Sequence, residues 1–470
     1  VFLIFVNFLV KPFWVFGIDR TVQNKLGETE YGIYFAIFNF TYLFQILLDF
    51  GLQNFNARHV ASDTKKLQDF LPNILLFKFI LFIIYLVFCI ATAIPLGYTN
   101  YTFLYVILFN HFLLSFIIYL RSNVSAHQYF ITDSVLSILD KLLMIIFCAI
   151  LIWGKSGFEL NILNFTMAQL LAYSITFVVC LTISLKLTQH AKINFSLVGI
   201  AGIIKKSLPY AIVYFLMTTY YRIDGVMLER MRDSHETGIY AQGYRIIESI
   251  NNIGYLFGVI LLPIFSFYLS KQKNIKEILF PALNIMVVII VGVVGLFYFQ
   301  SLDIISLLYH SNNIYSAQVF SWLILNFIPI GLLYVLGTLL TAKESFKMMI
   351  PTLVIAVLLN IILNYILIKK TGAIGAAQAT LITQLFMLLV YSFYTYKQFN
   401  MKFNLISAIK YIAFVVLSIC SIQILLSILN ENTFINIISR SVIYLSIVAI
   451  LSVVFQILKK EILHIRTGIH

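Results

Sequence analysis

Residues 16–34 read FGIDRTVQNKLGETEYGIY, and residues 221–240 read YRIDGVMLERMRDSHETGIY. In the first stretch Ile18-Asp19 is followed by Gly32-Ile33-Tyr34, fourteen residues after Ile18. In the second Ile223-Asp224 is followed by Gly238-Ile239-Tyr240, fifteen residues after Ile223. Glu30 and Glu236 each stand two residues before the Gly-Ile-Tyr. Both copies begin at the end of one apolar run and finish at the start of the next. The offset of 205 to 206 residues takes in six apolar runs. If each run crosses a membrane, an even number of crossings leaves both copies in the same orientation, which makes a parallel repeat. A match in topological position as well as in letters reads as duplication.

The rest of the chain supports that premise. Of 470 residues, 61% are hydrophobic and 11% charged, against roughly half and a quarter in soluble domains. So few charges cannot cover a soluble core of this size. The apolar residues fall in runs of about twenty, the length that spans the hydrocarbon layer. The runs are 1–16, 31–52, 71–94, 101–120, 132–153, 162–185, 208–227, 238–269, 278–299, 317–341, 348–368, 374–396, 406–429 and 435–458. The expected fold class is an all-α polytopic membrane protein of about fourteen helices. It has two pseudo-symmetric six-helix lobes, residues 1–206 and 207–400, and two trailing helices with a tail, residues 401–470. A cavity between such lobes is where transporters commonly hold substrate. Residues 1–16 read as the remainder of a first spanning helix, not as a signal peptide, and a few residues are expected before Val1.

The net charge of +13 follows topology rather than nucleic acid. On one set of alternate loops and the tail stand 19 Lys and Arg. The other set holds seven: Arg20, Lys25, Lys155, Arg230, Arg232, Lys369 and Lys370. The richer set is expected in the cytoplasm, with both termini inside. The 43 Phe and 28 Tyr suit lipid-facing and headgroup positions. Cys89, Cys148, Cys180 and Cys420 lie within apolar runs without CxxC spacing and read as small buried hydrophobes. The His residues form no HxH or HxxxH pair, so no metal site is expected. There is no phosphate loop, GxSxG or HExxH, and no connection is long enough for a catalytic domain. No catalytic residues and no cofactor are expected.

A charge inside a spanning helix costs about 2.5–3.5 kcal/mol at its centre and needs a reason. Lys11 and Arg222 occupy related places in the two repeats and are candidates for binding an anion such as a diphosphate. The plainer alternatives are snorkelling for Lys11 and pairing with a neighbouring helix for Arg222. Asp19 and Asp224 match across the repeat as helix-end caps or gate residues, or face water beside Arg20 and Arg230. Arg245 and Glu248, three apart, are expected to pair, with Arg245 keeping donors for a phosphate. Lys78 and Lys141 are cavity or interface cations. Asp140 adjoins Lys141 but is expected on another helix face. Asp49 joins Asp19 and Glu248 in the structural or gating group. Arg440 is expected to reach the outer interface. Asn360 and Asn364 share a face of the eleventh run and are expected to tie helices together, before the small residues Gly372, Gly375, Ala376, Ala377 and Ala379. Pro12, Pro209, Pro263 and Pro329 permit bends.

The segment Lys25-Leu-Gly-Glu-Thr-Glu-Tyr-Gly-Ile-Tyr, followed by Leu48-Asp49-Phe50-Gly51-Leu52, resembles the N-terminal signature of bacterial polysaccharide flippases. These belong to the multidrug/oligosaccharidyl-lipid/polysaccharide exporter superfamily. The stretch from Asn360 to Thr380 resembles its eleventh and twelfth helices, and Tyr221-Arg222-Ile-Asp224 its seventh. The resemblance implies alternating access in the bacterial inner membrane. It implies carriage of undecaprenyl-diphosphate-linked oligosaccharide to the outer leaflet for O-antigen, capsule or exopolysaccharide synthesis. The resemblance implies cavities lined by cations, for which Lys11, Arg222 and Arg245 are the candidates, Arg222 lying in the matched motif with Asp224. A polysaccharide polymerase and a chain-length regulator are plausible partners beside membrane lipid, and proton or sodium coupling is left open. The competing readings are a cation-coupled drug exporter of the same superfamily, an integral membrane polymerase or glycosyltransferase, and a scaffold of a glycan-assembly complex.

Overall fold

The apolar runs fold as helices, and the repeat motifs mark where those helices bend and meet. The computed structural model describes residues 10, 12–50, 66–127, 129–154, 157–187, 197–310, 314–401, 405–429 and 434–458. Lys11 and residues 1–9 of the first expected span lie outside the described residues. Among the described residues eleven spans are long and apolar enough to cross a membrane, from Ile74–Ala93 to Phe434–Val454. Helices also run over residues 31–43 of the second expected span and over all of the seventh, and each of these helices carries charges of the repeat motif. The chain is an all-α polytopic membrane protein. It forms two compact units, Val1–Gly238 and Ile239–His470. The helix that carries Arg222 therefore belongs with the first unit.

Unit 1 opens with a π-helical turn at Trp14–Asp19 and continues into α1 (Arg20–Leu43). Then follow α2 (Lys66–Ala93), α3 (Tyr101–Ala126), α4 (Phe130–Trp153), α5 (Ile162–Leu187) and α6 (Leu197–Met231). Helix α1 is broken at Gly27, whose φ of 79° suits a residue without Cβ. Past Leu43 it tightens into a 3₁₀ turn at Gln45–Leu48 and leaves helical geometry at Asp49 and Phe50. Helix α1 packs along α6, and α3 along α5.

The two copies of the motif hold each other within unit 1. A Cβ placed on Gly32 would lie 1.8 Å from the Ser234 carbonyl oxygen, and one on Gly238 would lie 1.9 Å from the Glu28 carbonyl oxygen. Position 28 corresponds to 234 under the repeat, and 32 to 238, so the contact is reciprocal, as in a two-fold interface. The Glu28 carboxylate stands 2.7 Å from His235 Nε2 across the same seam. Asp233 accepts the Glu236 backbone N–H at 2.8 Å and so caps the helix that follows.

Unit 2 comprises α7 (Ser234–Ser270, its first residues in unit 1), α8 (Lys276–Phe299), α9 (Ser301–Leu308), α10 (Ile314–Leu325), α11 (Phe327–Ala342), α12 (Phe346–Thr371), α13 (Ala373–Gln398), α14 (Leu405–Ile428) and α15 (Phe434–Val454). Gly372, at φ 58°, turns α12 directly into α13. Gly375 then lets α13 lie on the Leu367 carbonyl, 2.2 Å from where a Cβ would stand. Small residues allow this approach, and polar side chains secure it. Asn364 donates to Asn360 at 3.0 Å, and Asn360 to Thr380 at 3.5 Å. Asn326 reaches the Ala377 carbonyl at 3.3 Å.

Helix α15 docks on α8, where Tyr444 donates to the Val291 carbonyl at 2.9 Å over the bare face of Gly295. Arg440 does not reach an interface. It is 2% exposed, and its guanidinium sits 3.0 Å from Asp303 of α9. The reason is physical: a carboxylate in the apolar layer of unit 2 is cheaper to bury beside a cation than alone. Cys89, Cys148 and Cys180 are buried, while Cys420 is exposed on α14.

Candidate functional site

Helix α1 carries aromatic rings at Tyr34, Phe38 and Tyr42, four residues apart and therefore on one face. Their centroids are 5.9 and 5.8 Å apart in succession. At the Tyr42 end stands Arg222 of α6, partly exposed. Its guanidinium lies 4.7 Å from the Tyr42 ring centroid and 5.9 Å from that of Phe38. Arg222 Nη1 also donates to Asn39 Oδ1 at 3.1 Å. The approach of α6 is set by Gly225, which lies against Asn39 and Phe35 with no room for a methyl group. Tyr214, 47% exposed, faces Tyr42 oxygen to oxygen at 3.4 Å. His111 flanks the row, 5.0 Å from Phe38, with Nε2 3.0 Å from Thr41 Oγ1.

At the other end Tyr34 meets Phe165 edge-on at 5.3 Å and accepts a hydrogen bond from Gln169 at 3.3 Å. Phe165 stacks on Trp14 at 6.2 Å. Above Trp14 and Tyr173 sits Lys141, with Nζ 6.0 and 5.6 Å from the two ring centroids. The run Lys141, Trp14, Phe165, Tyr34, Phe38, Tyr42, Arg222 is thus a continuous ladder of rings with a cation at each end, all within unit 1. Ring faces carry partial negative charge and hold cations and C–H-rich surfaces. A guanidinium or ammonium binds phosphate oxygens. Tyr34 and Phe165 are buried and Lys141 pairs with Asp140, so the end of the ladder open to a ligand is Phe38, Tyr42 and Arg222, which suits an anionic group beside a ring-shaped apolar face.

The family model described as polysaccharide biosynthesis protein matches residues 16–269, which include the whole ladder except Trp14. The chain belongs to this family. A search of curated protein sequences gives no significant match. Among solved structures, this polysaccharide biosynthesis protein is similar to the lipid II flippase MurJ in an inward closed conformation. The TM-score is 0.71 at 16% identity, over 96% of this chain and 98% of that one. An inward-facing multidrug resistance MATE family transporter of the MOP superfamily follows, with TM-score 0.65 at 13% identity, over 83% and 93%. A MOP superfamily transporter from Pyrococcus furiosus Vc1, described by the reverse polarity of its binding pocket, gives 0.55 at 13% identity, over 85% and 92%. At such identities the likeness is one of fold.

The remaining sequence candidates are dispersed. Asp19, buried in the π-helical turn, accepts hydrogen bonds from Tyr31 at 2.9 Å and Gln23 at 3.2 Å. Asp224 is also buried, 1% exposed. Neither faces water beside Arg20 or Arg230, since both side chains are buried. Lys78 is fully enclosed and bound to Asp49 at 3.1 Å. Asp140 does not turn away from Lys141. The neighbours pair at 3.3 Å, since burial makes an adjacent opposite charge the cheapest partner. In unit 2, Arg245 donates to Glu248 at 2.8 Å. Asn360 and Asn364 sit fully buried at the α12–α13 seam. Among the described residues no group of three His, Cys, Asp or Glu could hold a metal ion. Sequence reading missed the rings. The i, i+4, i+8 spacing of Tyr34, Phe38 and Tyr42 was the available signal.

Proposed function

We propose that the protein is a flippase that moves an undecaprenyl-diphosphate-linked oligosaccharide from the cytoplasmic to the outer leaflet of the bacterial inner membrane. On this reading it works by alternating access, supplies surface polysaccharide synthesis and performs no catalysis. The observation that carries the reading is Arg222 set over the partly exposed rings of Phe38 and Tyr42 at one end of the ladder. Sugars present C–H faces to aromatic rings, and a diphosphate demands cations. Membership of the polysaccharide biosynthesis protein family and the fold shared with a lipid II flippase support the same substrate class. The loop charge asymmetry supports cytoplasmic termini, and the repeat supports lobes 1–206 and 207–400 with trailing helices after them. A polymerase and a chain-length regulator are the partners this role implies.

The second reading is a cation-coupled drug exporter, favoured by the fold shared with the MATE transporters. The two readings part at Arg222: this partly exposed cation of the ladder favours an anionic ligand over a cationic drug, whereas Lys141 is paired with the adjacent carboxylate of Asp140. The test is the sidedness of undecaprenyl-linked glycan in inverted vesicles from a depleted strain, probed with an impermeant glycosidase. Accumulation of intact lipid-linked oligosaccharide on the cytoplasmic side, uncorrected by Arg222→Ala, is the expected result. Glycan that reaches the outer face unextended would replace the flippase by a polymerase-type enzyme.

A further inference from the structure

The ammonium of Lys78 sits in a cage of oxygens. Nζ lies 2.8 Å from the Leu48 carbonyl, 3.1 Å from Asp49 Oδ1 and 2.8 Å from Ser115 Oγ. The rings of Phe116 and Tyr119 close the other side at 5.6 and 5.7 Å. Lys78 has no exposed surface, while Asp49 keeps 26% of its side chain exposed. The cage depends on the end of α1. Past Leu43 the chain tightens into the 3₁₀ turn that ends at Leu48, and the Leu48 carbonyl reaches Lys78 of α2 and Ser115 of α3. Ser115 itself donates to that carbonyl at 3.2 Å.

One carboxylate, one carbonyl and one hydroxyl converging on a point, with aromatic faces behind, are the donors that hard monovalent cations take. An ammonium with three N–H groups uses the same set. We propose that this cage is a monovalent-cation site that the protein fills with its own Lys78 side chain. Unit 1 thereby holds a fixed cation where a diffusible one would otherwise bind, and the broken end of α1 is locked between α2 and α3 without an ion from solution. Removing the side chain opens a site for a small cation, which reaches it past the exposed part of Asp49. An ordinary buried ion pair makes a different prediction, because its loss would be insensitive to which cation is supplied.

The test uses the full-length protein purified in detergent, with thermal unfolding as the readout. Lys78→Ala is expected to melt below the parent. Propylammonium, sodium or potassium chloride is expected to restore most of the difference along a saturating curve. Tetramethylammonium chloride at the same ionic strength, which offers no N–H and is too bulky, is expected to restore none. Lys78→Ala/Asp49→Asn, without the carboxylate, is expected to show no cation effect, and neither is the parent. Equal action by all four salts, no restoration by any, or a Lys78→Ala protein that melts like the parent overturns the proposal. If Lys78→Ala does not fold, the same salts are added during extraction. Folded protein recovered with the small cations but not with tetramethylammonium supports the site. No recovery with any of them overturns it.

Discussion

Replacing Gly32 by alanine puts a methyl group 1.8 Å from the Ser234 carbonyl oxygen, where ordinary contact begins at 3.4 Å. The neighbour is backbone and cannot rotate away, so α1 and the residues leading into α7 must separate by about 1.6 Å. Overpacking of this kind costs about 1–3 kcal/mol. For a unit the size of residues 1–238, that corresponds to a fall in melting temperature of roughly 2–12 °C. The separation has its own readout. Thr237 is fully buried beside this seam, so a Thr237→Cys protein, with the exposed Cys420 changed to serine, is expected to resist a water-soluble maleimide. Adding Gly32→Ala is expected to speed the labelling. Gly238→Ala should do the same, because its Cβ meets the Glu28 carbonyl at 1.9 Å in the reciprocal contact. Gly17→Ala is the control, since its nearest neighbour is a movable Phe13 ring at 3.4 Å. If Gly32→Ala and Gly238→Ala melt and label like the parent, the mutual seating of the two motifs is not what holds this seam.

Other outcomes follow from the same geometry. Arg222→Lys is expected to lose most transport of lipid-linked glycan in the vesicle assay, because an ammonium cannot both stack on Tyr42 and hold Asn39 as the guanidinium does. Tyr42→Phe should retain transport and Tyr42→Ala should lose it, if the ring face rather than the hydroxyl is what the ladder uses; equal loss in both would favour the hydroxyl. Arg440→Met leaves Asp303 buried without its cation and should destabilise the protein by about 3–5 kcal/mol, measured by denaturation, whereas Arg440→Met/Asp303→Leu should recover most of that loss. Truncation after residue 401 should likewise be destabilising, because it strips the cover from Gly292 and Gly295 of α8 as well as the partner of Asp303.

The helices were legible because lipid imposes a length and a composition on every span. The repeat was legible because both copies carry Ile-Asp and Gly-Ile-Tyr, fourteen residues apart in one and fifteen in the other. The pairings were not. Lys78 and Asp49 each stood out as intramembrane charges, yet they stand 29 residues apart and no periodicity relates positions so distant. Arg440 was misplaced because its own helix says nothing of Asp303, which a different helix brings across the unit. The ring stripe at Tyr34, Phe38 and Tyr42 was written in the sequence, but with aromatics at 16% of the chain an i, i+4 pair of rings is common background. Only the neighbours Arg222 and Phe165, supplied by α6 and α5, set this stripe apart.

The ladder reads its ligand unevenly. On the proposed function Arg222 answers to charge, which any lipid diphosphate supplies, while the rings answer only to flat, C–H-bearing surface, which nearly every hexose offers on one face. Phe38 and Tyr42, partly exposed, then hold a sugar without identifying it. On the proposed function, such a protein discriminates by the anchor rather than by the glycan. A bacterium could then change the composition of its surface polysaccharide, swapping one repeat unit for another, while keeping this protein unaltered.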